Sequence, residues 1–308
     1  MPAGSDSSAN NNAAAMSSRA PLVGIACMVV GGALLTRNDA VVKWLSDGYP
    51  VGKILFIRGL FVFIPVAVIA WRMGGMKALT IHHVGAQTAR ALLTVISTVF
   101  YLIALTAMPL ADVVSIAFAG PLFLTALAVP LLGEPVGWRR WSAVLVGFAG
   151  ILVMFRPGSE TLHWVALLPL IGALLSAFRD IITRRLTATV AVTETSVGIL
   201  CYTTLGVTLA GLTTFTMGWR MPALGDMALL VLSGFLIGAA QYLLIEAFRL
   251  AQAGLVAPFR YANVIWAVLF GFLIWGDLPN RWMLLGSTLV IGSGLYIFHR
   301  ETRVRRRA

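Results

Sequence analysis

Residues 104–134 read ALTAMPLADVVSIAFAGPLFLTALAVPLLGE, and residues 247–277 read AFRLAQAGLVAPFRYANVIWAVLFGFLIWGD. Both stretches begin with small residues, continue as an apolar run and end on a glycine and an acid, Gly133-Glu134 and Gly276-Asp277. A tryptophan then opens a further apolar, glycine-bearing segment in each case, Trp141 and Trp282. This internal similarity predicts a chain built from two related halves.

The composition excludes a soluble globular protein. Hydrophobic residues make up 59% of the 308 positions and charged residues only 11%, which is too little polar surface to cover a fold in water. A span needs about 20 apolar residues. The apolar runs predict an all-α membrane protein with ten transmembrane helices, at residues 21–45, 51–71, 84–106, 111–132, 138–155, 162–185, 192–216, 223–247, 254–275 and 281–299.

The two ends of the chain differ from this apolar body. Residues 1–20 are small and polar and lack the cationic start and short apolar core of a signal peptide, so they predict a disordered N-terminal tail. Residues 300–308 predict a basic cytoplasmic tail. Between the tails, residues 21–155 form the first predicted five-helix repeat and residues 156–299 the second.

Positive charge sets the predicted orientation. With the N-terminus inside, fifteen Lys and Arg residues in the tails, the loops and the span ends fall on the cytoplasmic side, and three fall on the outer side, at Arg156, Arg220 and Arg281. Positively charged loops stay in the cytoplasm, so both termini are predicted to be cytoplasmic. Because five crossings reverse the side of the chain, the halves are predicted to lie in opposite orientations, as in secondary transporters.

The motifs carry a family resemblance. NDAVVKWL at 38–45, YPVGKILFIRGLFVF at 49–63 and residues 104–135 with Trp141 resemble the drug/metabolite transporter superfamily, in its ten-helix EamA-type branch. The resemblance runs from about residue 21 to 299 and implies an alternating-access carrier of small metabolites in a bacterial inner membrane. The chain is similar to bacterial exporters of amino acids, including aromatic ones, so export is the expectation. Import of a vitamin or nucleoside-like metabolite, of the riboflavin or S-adenosylmethionine type, is the alternative.

Charged residues inside the first two spans are candidate functional groups, because each costs about 2.5–3.5 kcal/mol unless it has a partner or a wet cavity. Asp39 and Lys43 are four apart with the acid first, which predicts a structural ion pair near the outer end of the first span. Arg37 is either structural or pathway-lining. Arg58 lies too deep to reach the interface. It is either a tether to helix-end carbonyls or Asp39, or a cation for a substrate carboxylate.

The ninth span supplies the second candidate group. Helical spacing puts Phe259, Asn263, Trp266 and Phe270 on one stripe with Arg260 at its edge. Core packing is one explanation of this pattern. A substrate site is the other, because tryptophans usually lie at the membrane interface and Trp266 does not, and because Asn263 needs a partner in lipid. Further cavity candidates are Thr98, Tyr101, Pro121, Gln241 and Tyr242, and Glu246 is predicted to pair with Arg249 or to act as a coupling carboxylate.

Several other functions lack their motifs. The sequence has no GxxxxGK[ST] loop for nucleotide phosphates and no His or Cys spacing that predicts a metal site, so no cofactor is expected. Glu134 and Asp277 fall on opposite sides of the membrane in this topology, which argues against an intramembrane enzyme. A channel is disfavoured by the repeat plan. The expected partners are the substrate and the lipid bilayer, with no nucleic acid, and the chain is expected to act as a monomer.

Overall fold

The structure is a computed structural model that describes the backbone of residues 6–132, 137–155, 164–188, 195–217, 219–250 and 257–305. Within these ranges the chain is all-helical. The α-helices are α1 (Asp6–Ser46), α2 (Val51–Arg72), α3 (Val84–Ala107), α4 (Leu110–Ala117), α5 (Gly120–Leu132), α6 (Trp138–Phe155), α7 (Leu167–Ala188), α8 (Ser196–Leu212), α9 (Leu224–Leu250), α10 (Ala262–Trp275) and α11 (Arg281–Arg305). Short 3₁₀ turns occupy Gly75–Leu79, Trp164–Ala166, Thr213–Met217 and Ala257–Tyr261.

Seven helical segments of the described chain are long and apolar enough to cross a membrane, and two shorter apolar helices accompany them, Trp141–Phe155 and Phe259–Trp275. The chain is therefore a multi-pass membrane protein. The apolar part of α6 is shorter than the predicted span because the helix opens with Arg139 and Arg140. Its charged first turn belongs at the membrane surface.

Two helix boundaries differ from the predicted spans. The first helix begins at Asp6, inside the stretch predicted to be disordered, where the run Ala13 to Ala15 favours helix. The fourth predicted span is two helices, α4 and α5, separated at Phe118 and Ala119. Pro121 explains the new start, because proline fits the first turn of a helix but cannot donate to the turn before it.

Helix α1 packs mainly against α9 and α10. It runs antiparallel to α9, since the Asn38 side chain contacts Ser233 and, further along, the Tyr49 hydroxyl contacts Asp226. It runs parallel to α10, because Gly32 lies against Asn263 and the Lys43 ammonium lies over the Trp275 ring.

Glycines allow the second helix to approach two neighbours. Gly52 and Gly59 of α2 lie against Thr214 and Thr208, so α2 and α8 run antiparallel. Gly234 of α9 packs on Phe61, and Gly238 four residues later packs on Pro65, so α2 and α9 run parallel. The GxxxG of α9, at Gly234 and Gly238, is thus a close contact within the bundle.

The helix pairs form matched sets. In the two predicted halves, α1, α2, α3, α4–α5 and α6 correspond in chain order to α7, α8, α9, α10 and α11. If each helix is replaced by its counterpart, the pair α1–α9 becomes α7–α3, and the pair α2–α9 becomes α8–α3. The pair α1–α10 likewise becomes α7–α5, while α2–α8, α4–α10 and α6–α11 each map onto themselves. All of these pairs are in contact. The principal packing of the bundle therefore has the exchange symmetry expected of two similar halves.

Candidate functional site

Polar side chains in the C-terminal part of α1 are hydrogen-bonded to two other helices. Asn38 is 1% exposed, and its side-chain oxygen accepts a hydrogen bond of 2.6 Å from the Ser233 hydroxyl of α9. The Asn38 amide donates to Asp39 Oδ1 at 3.3 Å. The Tyr101 hydroxyl of α3 donates to Asp39 Oδ2 at 2.8 Å. Two adjacent residues of α1 therefore link it to α9 and to α3.

Arg58 of α2 is the buried cation beside this group. The residue is 5% exposed, and Asp39 is the acid within electrostatic range of its guanidinium. In the part of the chain that the structure describes, no hydrogen bond reaches the Arg58 side chain. Because a buried charge is stable only when both its charge and its donors are satisfied, Arg58 has compensation for its charge but has donors free for a ligand.

The predicted ion pair between Asp39 and Lys43 is wrong. The Lys43 ammonium donates instead to the backbone carbonyl of Met108 and lies 5.2 Å from the centre of the Trp275 ring. Helix α3 ends at Ala107, and its last carbonyls have no partner within the helix. Lys43 is therefore drawn to the corner between α3 and α4, and Asp39 is satisfied by Tyr101 and Asn38.

Asn263, Trp266 and Phe270, which we call the α10 stripe, include polar atoms without partners. The rings of Trp266 and Phe270 are stacked at 6.3 Å between centroids. Trp266 Nε1 and Asn263 Oδ1 are buried and have no hydrogen-bond partner within the described ranges. Such groups are costly in hydrocarbon. The α10 stripe is thus partly packed, and it retains one buried donor and one buried acceptor.

The α10 stripe lies level with the polar segment of α1. Asn263 contacts Gly32, and Trp275 contacts Lys43, so Trp266 falls between the α1 levels of residues 32 and 43. Arg58 and Trp266 are not in cation–π contact in the described structure. The structure therefore brings Arg58, Asp39 and Tyr101 into one cluster, with the α10 stripe beside the same length of α1.

The other predicted site residues are more dispersed. Thr98 is half-buried one turn before Tyr101, and Gln241 and Glu246 are half-buried on α9. Arg37, Pro121, Tyr242 and Arg260 are exposed. Arg260 lies in the 3₁₀ turn before α10, not in its helical stripe. The predicted Glu246–Arg249 pair involves the Arg249 side chain, which lies outside the described residues.

A second cluster of polar contacts lies at one end of the bundle. The Lys53 ammonium donates to the Arg220 carbonyl and lies 4.1 Å from the centre of the Tyr49 ring. Lys53 is 2% exposed although it lies in the first turn of α2. The Tyr49 hydroxyl donates to Asp226 at 2.7 Å and accepts from the Ala223 N–H at 3.2 Å.

Charge at this end extends beyond the lysines. Asp112 at the start of α4 and Asp277 after α10 lie within electrostatic range of Lys43. The hydrogen bond to Asp226 raises the pKa of the Tyr49 hydroxyl, because losing the proton would break the bond beside a carboxylate. We call Tyr49, Lys53, Lys43 and their partners the end cluster.

Sequence reasoning missed Asn38, Ser233, Tyr49 and Asp226. Asn38 had a usable signal, because an amide inside a span needs a partner from another helix. Tyr49 and Asp226 are 177 residues apart in the chain, and nothing local links them. In the described residues no group of three or more His, Cys, Asp or Glu could hold a metal ion.

Comparison with known proteins gives consistent matches. Residues 22–156 match the EamA-like transporter family. A riboflavin transporter of Rhizobium johnstonii is 29% identical over 300 residues, covering 97% of this chain and 98% of the relative. An S-adenosylmethionine uptake transporter of Rickettsia conorii is 26% identical over 289 residues, covering 93% and 96%. A pseudopaline exporter of Pseudomonas aeruginosa is 26% identical over 270 residues, covering 87% and 93%.

A solved structure has the same fold. It superposes with a TM-score of 0.61 at 17% identity and covers 94% of this chain and 99% of its own. At that identity the likeness concerns the fold alone.

Proposed function

The chain belongs to the EamA-like transporter family, and from that membership we propose that it imports riboflavin or a similar uncharged heteroaromatic metabolite. It is a small-metabolite transporter of the drug/metabolite transporter superfamily and not an enzyme. The amino-acid export expected from the sequence has less support than the import alternative, because a riboflavin transporter and an S-adenosylmethionine uptake transporter are among the relatives that align over most of both chains.

The observation that carries the proposal is the similarity to a riboflavin transporter along 97% of the chain. The site chemistry agrees with such a substrate. A flat ring system with carbonyl oxygens can accept the free donors of Arg58, whose planar fork suits paired acceptors. The stacked Trp266 and Phe270 offer an aromatic face, and Trp266 Nε1 offers an unused donor.

S-adenosylmethionine is the second candidate, supported by the relative in Rickettsia conorii. This substrate carries a sulfonium, an ammonium and a carboxylate. The carboxylate suits the donors of Arg58, whereas the two cationic groups favour a free carboxylate and aromatic faces. Both oxygens of Asp39 are already occupied by Asn38 and Tyr101, and Arg58 adds a like charge beside it. Arg58 could hold the carboxylate of S-adenosylmethionine, but the described side chains of this cluster offer no free carboxylate to its two cationic groups, which favours the uncharged ring.

The proposed architecture is ten transmembrane helices in two inverted five-helix halves, residues 21–155 and 156–299, with both termini in the cytoplasm. The antiparallel pair α2–α8 supports it, because these are corresponding helices of the two halves. Helices α3 and α9 also correspond. α3 runs with α1, as Tyr101–Asp39 and Met108–Lys43 show, whereas α9 runs against it. Rocking of such halves around a central site is the usual form of alternating access.

The test is counterflow in proteoliposomes. Vesicles loaded with unlabelled riboflavin are diluted into a trace of labelled riboflavin, and unlabelled S-adenosylmethionine and phenylalanine are tested as competitors. Transient accumulation of label that only riboflavin-like compounds abolish supports the proposal. Counterflow of labelled S-adenosylmethionine in place of riboflavin supports the second candidate. Counterflow of phenylalanine alone contradicts both candidates and supports the hypothesis of amino-acid transport.

A further inference from the structure

We propose that Asp39 binds one proton for each substrate that engages Arg58, so that the proton gradient drives uptake; this rests on the proposed function. The proton enters with the substrate from the outer solution and leaves Asp39 to the cytoplasm after the substrate has gone. With an uncharged substrate, each cycle moves one positive charge inward. Transport is then driven by the membrane potential as well as by the pH difference.

The hydrogen bonds of Asp39 suit both charge states. When the carboxylate is ionised it accepts from the Tyr101 hydroxyl at 2.8 Å and from the Asn38 amide at 3.3 Å. When one oxygen is protonated it becomes a donor, and the tyrosine hydroxyl can rotate to accept. The Asn38 oxygen stays bonded to Ser233 throughout. The site therefore holds the carboxyl group before and after protonation without a change in helix packing.

Few charges face Asp39. Arg58 of α2 is the cation within electrostatic range, and Tyr101 of α3 is the titratable donor. Helix α9 contributes the neutral Ser233 through Asn38. Along the facing length of α10 the side chains of Asn263, Trp266 and Phe270 are neutral, and Lys43 on α1 points to the α3–α4 corner. Among the described residues, the charge of Asp39 is therefore balanced by Arg58.

Competition for Arg58 couples the two ligands. Carbonyl oxygens of a bound substrate take the guanidinium donors and turn the Arg58 head away from Asp39, which weakens its positive field at the carboxylate. An ionised Asp39 without that field is unstable at low dielectric, so it binds a proton. Linkage is reciprocal: a protonated, neutral Asp39 no longer attracts the guanidinium, so Arg58 can turn toward the substrate. Riboflavin affinity is then highest at low pH and falls as the pH rises.

The experiment compares two modes of transport by the same proteoliposomes. Labelled riboflavin uptake is measured with an acidic exterior and no riboflavin gradient, and counterflow is measured at equal pH. In Asp39→Asn, which resembles the protonated form, the ratio of gradient-driven uptake to counterflow should fall by about tenfold or more. Asp47→Asn removes an exposed carboxylate in the turn after α1. This control should keep the wild-type ratio.

A second variant keeps the proposal testable if Asp39→Asn is inactive in both modes. Tyr101→Phe removes a donor that stabilises ionised Asp39, so the pH profile of riboflavin affinity should move to higher pH. An unshifted profile contradicts the proposal. So does wild-type protein that exchanges riboflavin by counterflow yet ignores the pH gradient, and the proposed function then stands. Absence of riboflavin counterflow contradicts the proposed function itself.

Discussion

At the scale of single residues, the role of the Arg58 charge can be tested separately from the role of its planar guanidinium. Its charge is balanced by Asp39, but its donors are unused in the described structure. Lysine keeps the charge and loses the planar fork. We therefore expect Arg58→Lys to raise the riboflavin concentration for half-maximal counterflow by about tenfold, as for the loss of one charged hydrogen bond.

The matched control for this substitution is Arg281→Lys, at the exposed first turn of α11. It should leave the half-maximal concentration unchanged. An Arg58→Lys protein with wild-type concentration dependence would show that the guanidinium only tethers helices.

Trp266 is the aromatic test residue. Its ring stacks on Phe270, and its N–H is unbonded within the described chain. Trp266→Ala removes a stacking surface, and we expect a loss of affinity of roughly tenfold. Trp164→Ala, at a tryptophan that is 69% exposed, is the control. Protein levels are compared by immunoblot, and equal flux in both variants contradicts a substrate role for Trp266.

At the scale of helices, the contact between α2 and α9 depends on absent side chains. A Cβ atom at Gly234 would lie 2.6 Å from the Phe61 Cβ and 2.9 Å from the Arg58 carbonyl. Gly234→Ala must push α9 away from α2, and we expect it to destabilise the protein by about 1–3 kcal/mol. Gly225→Ala, in the first turn of α9 with open space around it, is the control. Thermal unfolding in detergent measures both, and equal melting temperatures would contradict this contact.

The end cluster offers a helix-scale prediction about gating. Tyr49 ties the turn after α1 to the start of α9 through Asp226 and the Ala223 N–H. Because that bond raises the pKa of the Tyr49 hydroxyl, it is present below the ordinary pKa of about 10 and is lost only as pH rises above it. Tyr49→Phe should therefore open this end at neutral pH.

The measurement of opening is thiol labelling. Cysteine placed at Val42, which is 2% exposed, is treated with a membrane-impermeant maleimide after Cys27 and Cys201 are replaced by serine. Labelling should be faster with Tyr49→Phe than without it. Tyr296→Phe, at an exposed position on α11, should not change the rate. Equal rates in all three proteins would mean that the end cluster does not gate access.

Apolar run length predicts most helices of this chain, because lipid forces the backbone to satisfy its own hydrogen bonds. The partners of individual side chains are harder to predict from the sequence. The four-residue spacing of Asp39 and Lys43 favours an ion pair in an isolated helix, yet each finds a stronger partner on another element. The burial of Lys53 likewise cannot be predicted from the local sequence, because its partner, the Arg220 carbonyl, comes from a distant turn. Local rules fail where tertiary contacts compete with them.

At the scale of the whole molecule, the symmetric pairing of helices predicts sidedness. If the halves are inverted and the termini cytoplasmic, green fluorescent protein fused after residue 308 fluoresces and alkaline phosphatase fused there is inactive. Phosphatase inserted between α8 and α9, after Met221, should be active because that turn lies outside the cell. The opposite pattern at either position contradicts the proposed topology.

The close fit between α1 and α10 carries an evolutionary consequence. Gly32 has no side chain, and the Asn263 amide occupies the volume that a methyl group there would need. A related protein with alanine at position 32 must have a smaller residue at position 263, or the close contact between these two helices is lost. Paired replacement at the two positions among natural variants would record this constraint without any purified protein.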